Sequence, residues 1–113
     1  PFVLVDWGAK VDFYHSDLTR VIRSPGITPK KTVESRLAKI YTVVSEAQRK
    51  AAEAIRPGVH VREVDRAARG HIEAAGYGKR FNHGLGHGIG LEIHEAPSIR
   101  SNSEDILQAG MVI

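Results

Sequence analysis

His83-Gly-Leu-Gly-His87-Gly-Ile-Gly90-Leu-Glu-Ile-His94-Glu-Ala-Pro97 gathers three of the chain's six histidines and four of its eleven glycines. Histidine is the commonest metal ligand and the side chain that titrates nearest neutral pH. Glycine lets a backbone turn sharply or approach a ligand closely. His83 and His87 stand four apart, a spacing that on a helix would set both rings on one face. Four glycines oppose a helix, each costing about 1 kcal/mol relative to alanine. The stretch therefore reads as extended, tightly turning backbone, and its histidines as groups with separate roles. On its own, such a stretch is equally compatible with a structural role.

N-terminal to it the periodicity is helical. Val61, Val64, Ala68, Ile72 and Ala75 recur at three- and four-residue spacing, and Gly76 closes the pattern. Val33, Leu37, Ile40/Tyr41, Val44, Ala47, Ala51 and Ile55 form a longer amphipathic stripe, with Pro29 near its start and Pro57-Gly58 at its end. Ser24-Pro-Gly-Ile-Thr-Pro29 is a loop. Phe2-Val-Leu-Val-Asp-Trp7 reads as a buried-type strand, and Phe13 to Val21 as a second. C-terminal to the glycine-histidine stretch, a polar loop around Ser101-Asn-Ser-Glu-Asp105 precedes Ala109-Gly-Met-Val-Ile113, a turn and the start of another strand. The order ββ-α-α-β predicts an α+β fold, with helices covering an antiparallel sheet.

The 113 residues hold at most one domain. A hydrophobic content of 42% and a charged content of 26% belong to a globular chain rather than a disordered one. No apolar run approaches the roughly 20 residues of a membrane-spanning helix, so no membrane partner is expected. Without cysteine there is no disulfide, zinc finger or thiol nucleophile, which is compatible with a cytoplasmic setting. The net charge of +3 is mild. Lys30-Lys31 and Arg49-Lys50 fit a solvated helix face, and no basic patch interleaved with aromatics points to nucleic acid. The chain runs from Pro1 straight into an apolar strand, so both ends look cut from something longer and a targeting segment would be out of sight.

Asp6 and Asp17 each sit in an apolar strand. A hairpin turning at Val11-Asp12 pairs Lys10 with Phe13 and sets Asp6 directly opposite Asp17. Their β-carbons would then be about 5 Å apart on one face. Alternation puts Val3, Val5, Trp7, Tyr14 and Leu18 on the other face as a candidate core, and leaves His15 and Thr19 beside the aspartates. Val-Asp is not a favoured type I′ pair, which makes the turn the weak point. Two opposed carboxylates require a shared proton, a partner such as Arg20, or bound cations.

Asp6-x-Gly8, Ser16-Asp17-Leu-Thr-Arg20 and His83-x-x-Gly-His87-Gly-Ile-Gly90, followed by His94-Glu95-x-Pro97, resemble the metallopeptidase family of aminopeptidase P, prolidase and methionine aminopeptidase. The resemblance covers nearly the whole chain, including Tyr41 and Gln48 on the long helix and Arg56-Pro-Gly58 after it. Leu91, where methionine aminopeptidases commonly carry arginine, tilts it toward the Xaa-Pro-cleaving branch. It implies the pita-bread fold, with residues 1–113 an incomplete C-terminal catalytic domain truncated at both ends.

The resemblance further implies two divalent metal ions held by two Asp, one His and two Glu. Carried across, Asp6 binds one metal, Asp17 bridges both and His87 binds the other. Mn²⁺ is the first expectation, with Co²⁺ or Zn²⁺ as alternatives. The implied reaction is hydrolysis by a hydroxide held between the metals. His94 resembles the histidine that contacts substrate and stabilises the tetrahedral intermediate, and His83 one lining the substrate pocket. A packing role for His83 and a loop-fixing role for His94 are the plainer alternatives. The implied partners are short peptides with proline at the second position, and a homodimer of the full-length protein is allowed. Phe13 stands where the family usually has glycine. The two glutamates lie beyond Ile113 in the family, so the fragment itself is expected to be inactive. The rival readings are a methionine aminopeptidase, a creatinase-like amidinohydrolase, which would lack the metal ligands, and a non-catalytic pita-bread binding module.

Overall fold

Both helices form where the apolar periodicity places them. In the computed structural model, which describes residues 2–26 and 28–113, α1 spans Lys31–Ala54 and α2 spans Val61–Ala74. Pro1, and Ile27 of the expected loop, lie outside the described residues. Helix α2 ends through a paired cap. The Tyr77 N–H donates to the Ile72 carbonyl and the Gly76 N–H to that of Glu73, satisfying carbonyls that the helix leaves open.

The helices pack on each other through small residues. Ala47 and Ala51 of α1 meet Val61, Val64, Ala68 and Ile72 of α2, and Ile99 and Leu107 close the cluster. Burying Val61 and Val64 completely stabilises the fold by about 1.5–3 kcal/mol each. The inward stripe of α1 is shorter than its sequence pattern. Val33, Tyr41, Val44 and Ile55 are exposed, while Val43 and Ala54 pack against the core. The 14 residues of α2 reach about 21 Å at 1.5 Å per residue, too short to cover the 24 residues of α1.

Among the described residues the strands do not join into one sheet. Strand β1 (Phe2–Trp7) pairs with β4 (Leu18–Arg23), β2 (Lys10–Val11) with β3 (Tyr14–His15), and β5 (Gly86–Gly88) with β6 (Glu95–Ile99), each antiparallel. The expected strand from Phe13 to Val21 is broken at Ser16-Asp17 and runs on to Arg23. Ala109-Gly110 does turn, but residues 111–113 form no strand, the Val112 carbonyl accepting a single bond from the Ile89 N–H. Asp105 and Leu107 return to α2: the Val61 N–H donates to the Asp105 carbonyl and the Leu107 N–H to that of Val59.

The hairpin register differs from the expected one. Lys10 pairs with His15 and Val11 with Tyr14, so the turn is Asp12-Phe13, with φ of +48° and +73°. A type I′ turn needs positive φ at both central residues. Branched Val11 adopts that region poorly, whereas Asp tolerates it, so the turn moves one place along. Asp6 consequently faces Thr19 rather than Asp17. The displacement of the partner is two residues, so no side chain changes face. The apolar faces of this hairpin are not a core among the described residues: Leu4, Trp7, Tyr14 and Val21 are all more than half exposed.

Candidate metal centre

Strand β5 carries a single side chain, His87, between two glycines. Gly86 pairs with Ile99, His87 with Ser98 and, past a bulge, Gly88 with Glu95. The approach at Gly88 admits only glycine, since a Cβ there would collide with the Ala96 carbonyl. The bulge re-aims the chain immediately beyond His87. The glycines thus place the stretch in extended backbone, as the sequence implies.

His87 is half-buried, and its Nδ1 lies 3.0 Å from the Gly88 carbonyl. A carbonyl can only accept, so Nδ1 carries the proton, and in the Nδ1–H tautomer Nε2 presents a lone pair. That lone pair faces Asp17 Oδ2 at 3.5 Å. Lone pair against carboxylate is repulsive unless a proton or a cation lies between them. The His94 ring stands edge-on to that of His87, with centroids 4.4 Å apart and planes at 77°. Asp17, His87 and His94 each offer one donor atom, and these atoms all lie within 4.8 Å of one another. Asp17 and His87 pair a carboxylate oxygen with an imidazole nitrogen, a mixed donor set of the kind Zn²⁺, Co²⁺ or Mn²⁺ accepts, so the residues present fit such an ion.

Asp17 reaches this position because the hairpin opens beside it. The Ser16 N–H donates to the Ala9 carbonyl at 2.9 Å, and the Ala9 N–H donates to Ser16 Oγ at 3.0 Å. Gly8 permits the approach, since a Cβ there would meet the Ser16 carbonyl. The His15 N–H donates to the Gly90 carbonyl at 2.8 Å, which ties the hairpin to the glycine-histidine stretch.

The other expected residues lie outside this trio. Asp6 Oδ1 accepts a hydrogen bond from the Thr19 hydroxyl at 2.9 Å. His83 is exposed, its Nδ1 2.7 Å from the Gly84 carbonyl and its ring edge-on to Phe81 at 4.7 Å. A cleft of about 510 Å³ runs past Asp17 and His87, lined also by Thr19, Gln48, Ala51 and Leu85. A larger one, of about 1030 Å³, lies away from it between Glu73, Lys79, Arg80 and Asn82.

One group near the site stands outside the apolar reading of α2. Asp65 is fully buried on the core face of that helix and pairs with Arg69 at 2.7 Å. Hydrogen bonding to Asp65 raises the Arg69 pKa above its ordinary value, against the opposing effect of burial and with help from the Asp65 charge. An Asp and an Arg four apart on a predicted helix are the signal that marks this pair in the sequence.

The sequence pattern of metallopeptidase family M24 matches residues 1–113. The chain belongs to this family. It is 45% identical over 113 residues to the Xaa-Pro dipeptidase of Pyrococcus horikoshii, covering 98% of this chain and 30% of that protein. The prolidase from Pyrococcus furiosus superposes with a TM-score of 0.83 at 45% identity, over 97% of this chain and 31% of that one. The Xaa-Pro dipeptidase from Bacillus anthracis does so with a TM-score of 0.86 at 43% identity, over 97% and 29%. This M24 chain therefore has part of the pita-bread fold, and it spans about three tenths of the length of the relatives it matches. The N-terminal domain of the FACT subunit SPT16 from chickpea, at 23% identity and a TM-score of 0.81, shares the fold alone.

Proposed function

We propose that the full-length protein is a metal-dependent exopeptidase that hydrolyses the Xaa-Pro bond at peptide N-termini, as a dipeptidase or aminopeptidase. The observation that carries this reading is the convergence of Asp17, His87 and His94 donor atoms within 4.8 Å on an M24 chain. The 45% identity to an Xaa-Pro dipeptidase supports the choice of substrate. Residues 1–113 are then part of a larger catalytic domain, which the 30% coverage of that relative supports.

His87 would hold one divalent ion through Nε2, its tautomer set by the Gly88 carbonyl. Asp17 and Asp6 would contribute carboxylate oxygens to the pair of ions, Asp6 being held by the Thr19 hydroxyl. When bound, divalent ions supply Lewis-acid activation of water and of the scissile carbonyl. Mn²⁺ is the proposed metal, with Co²⁺ or Zn²⁺ as alternatives. His94 is assigned to the substrate side, where an exposed ring beside His87 can donate a hydrogen bond to the oxyanion. His83 is assigned to the substrate pocket. The substrates are short peptides with proline second, and we assign the protein to the cytoplasm, as a homodimer at full length. The retained Asp and His donors favour this over a non-catalytic binding module.

Replacing Asp17 with alanine in the full-length protein tests the reading. Metal content measured by mass spectrometry should fall, and Xaa-Pro hydrolysis should drop by at least about a thousandfold, as when a group central to the chemistry is removed. Unchanged turnover in Asp17→Ala would overturn the assignment.

A further inference from the structure

We propose that the pair of buried Asp65 and partly buried Arg69 is a positioning device for the substrate side of the site, setting the backbone and ring orientation of His83 through Phe81. Four contacts converge on one guanidinium. Arg69 Nε donates to Asp65 Oδ2 at 2.7 Å, and Nη2 donates to Asp65 Oδ1 at 2.8 Å. The far side of the same group donates from Nη1 to the Phe81 carbonyl at 2.8 Å and from Nη2 to the His83 carbonyl at 2.9 Å. Its carbon sits 4.3 Å from the centre of the Phe81 ring, and that ring meets His83 edge-on at 4.7 Å. Helix α2 is thus connected to His83 by two carbonyl bonds and by a stacked chain of three side chains.

The arrangement goes beyond what stability requires. An ion pair between α2 residues needs only Asp65 and Arg69, and apolar residues of similar size often replace such a pair without loss. Here the pair leaves two N–H donors aimed at a segment that no helix or strand holds: residues 81–85 lie between the short helical turn Gly78–Arg80 and β5. Asp65 fixes the fork, and the fork fixes carbonyls 81 and 83. Lysine offers one compact ammonium and cannot present both pairs of donors.

Arg69→Lys and the double variant Asp65→Leu/Arg69→Met, made in the full-length protein, test this. The kinetic arm rests on the peptidase reading; the spectroscopic arm does not. Both variants should keep metal content. In both, the ring resonances of His83 in histidine-labelled protein should shift while those of His60 stay in place. KM for an Xaa-Pro peptide should rise about tenfold with kcat within about twofold, the pattern of lost uniform binding. Wild-type His83 resonances and wild-type KM in Arg69→Lys would overturn the proposal, whatever the double variant does. If the unmodified protein cleaves no Xaa-Pro peptide, the peptidase reading fails and the His83 resonances alone decide the positioning role. If the double variant does not fold, Arg69→Lys decides alone.

Discussion

At φ +73°, Phe13 carries a Cβ in a region that costs a non-glycine residue about 1–2 kcal/mol. Its ring is 74% exposed, so burial offsets little of that cost. Phe13→Gly should therefore stabilise the protein, by about 1 kcal/mol less the entropy that glycine adds to the unfolded chain, read as a rise in the thermal midpoint. A fall in the midpoint would mean that the ring makes contacts elsewhere. Arg69 behaves oppositely with respect to pH. Its folded-state pKa is raised, so its contribution to stability is present below the ordinary arginine value and is lost only in strong alkali. Arg69 therefore adds no pH dependence near neutrality. The His87 tautomer, set by a single carbonyl, is the residue-scale feature on which the proposed metal site depends.

Among the elements, the α1–α2 contact relies on small side chains. Ala47, Ala51 and Ala68 are at most 6% exposed, and they let the two backbones come close. Ala51→Leu should force them apart and destabilise the protein by about 1–3 kcal/mol, measured by urea unfolding. The same residue lines the cleft beside Asp17, so metal affinity should weaken in that variant as well. An unchanged unfolding midpoint would show slack in this interface. The hairpin and the glycine-histidine stretch meet through the His15–Gly90 bond, which brings Asp17 to His87 although neither residue lies on a helix.

Over the whole molecule, apolar side chains are unevenly covered. Leu4 and Val21 on one face of the β1–β4 hairpin, and Trp7 and Ile22 on the other, are at least half exposed, so both faces present apolar side chains of the kind that mark a contact surface. Trp7 is the chain's one tryptophan. Its fluorescence should be quenched by acrylamide in the 113-residue chain and protected in the full-length protein. Equal quenching in both would show that nothing covers this hairpin.

Much of the candidate site is legible in the sequence. His83, His87 and His94 stood out because glycine at four intervening places leaves few structures other than extended backbone. Both helices were legible because their apolar spacing is local and repeats every three or four residues. The hairpin register was not, since it turned on whether Val11 or Phe13 would accept a positive φ, a small energy difference between two poor candidates. Nor was the role of Asp65, whose buried carboxylate is satisfied by a guanidinium that also reaches a segment twelve to fourteen residues away. The sequence by itself determined which donor groups the chain carries and where its backbone must be extended, because residue types and local spacing decide donor atoms and backbone preference. Only the tertiary structure decided that Asp17, His87 and His94 meet while Asp6 and His83 stand apart, because that depends on strand register and long-range hydrogen bonds that no local pattern encodes.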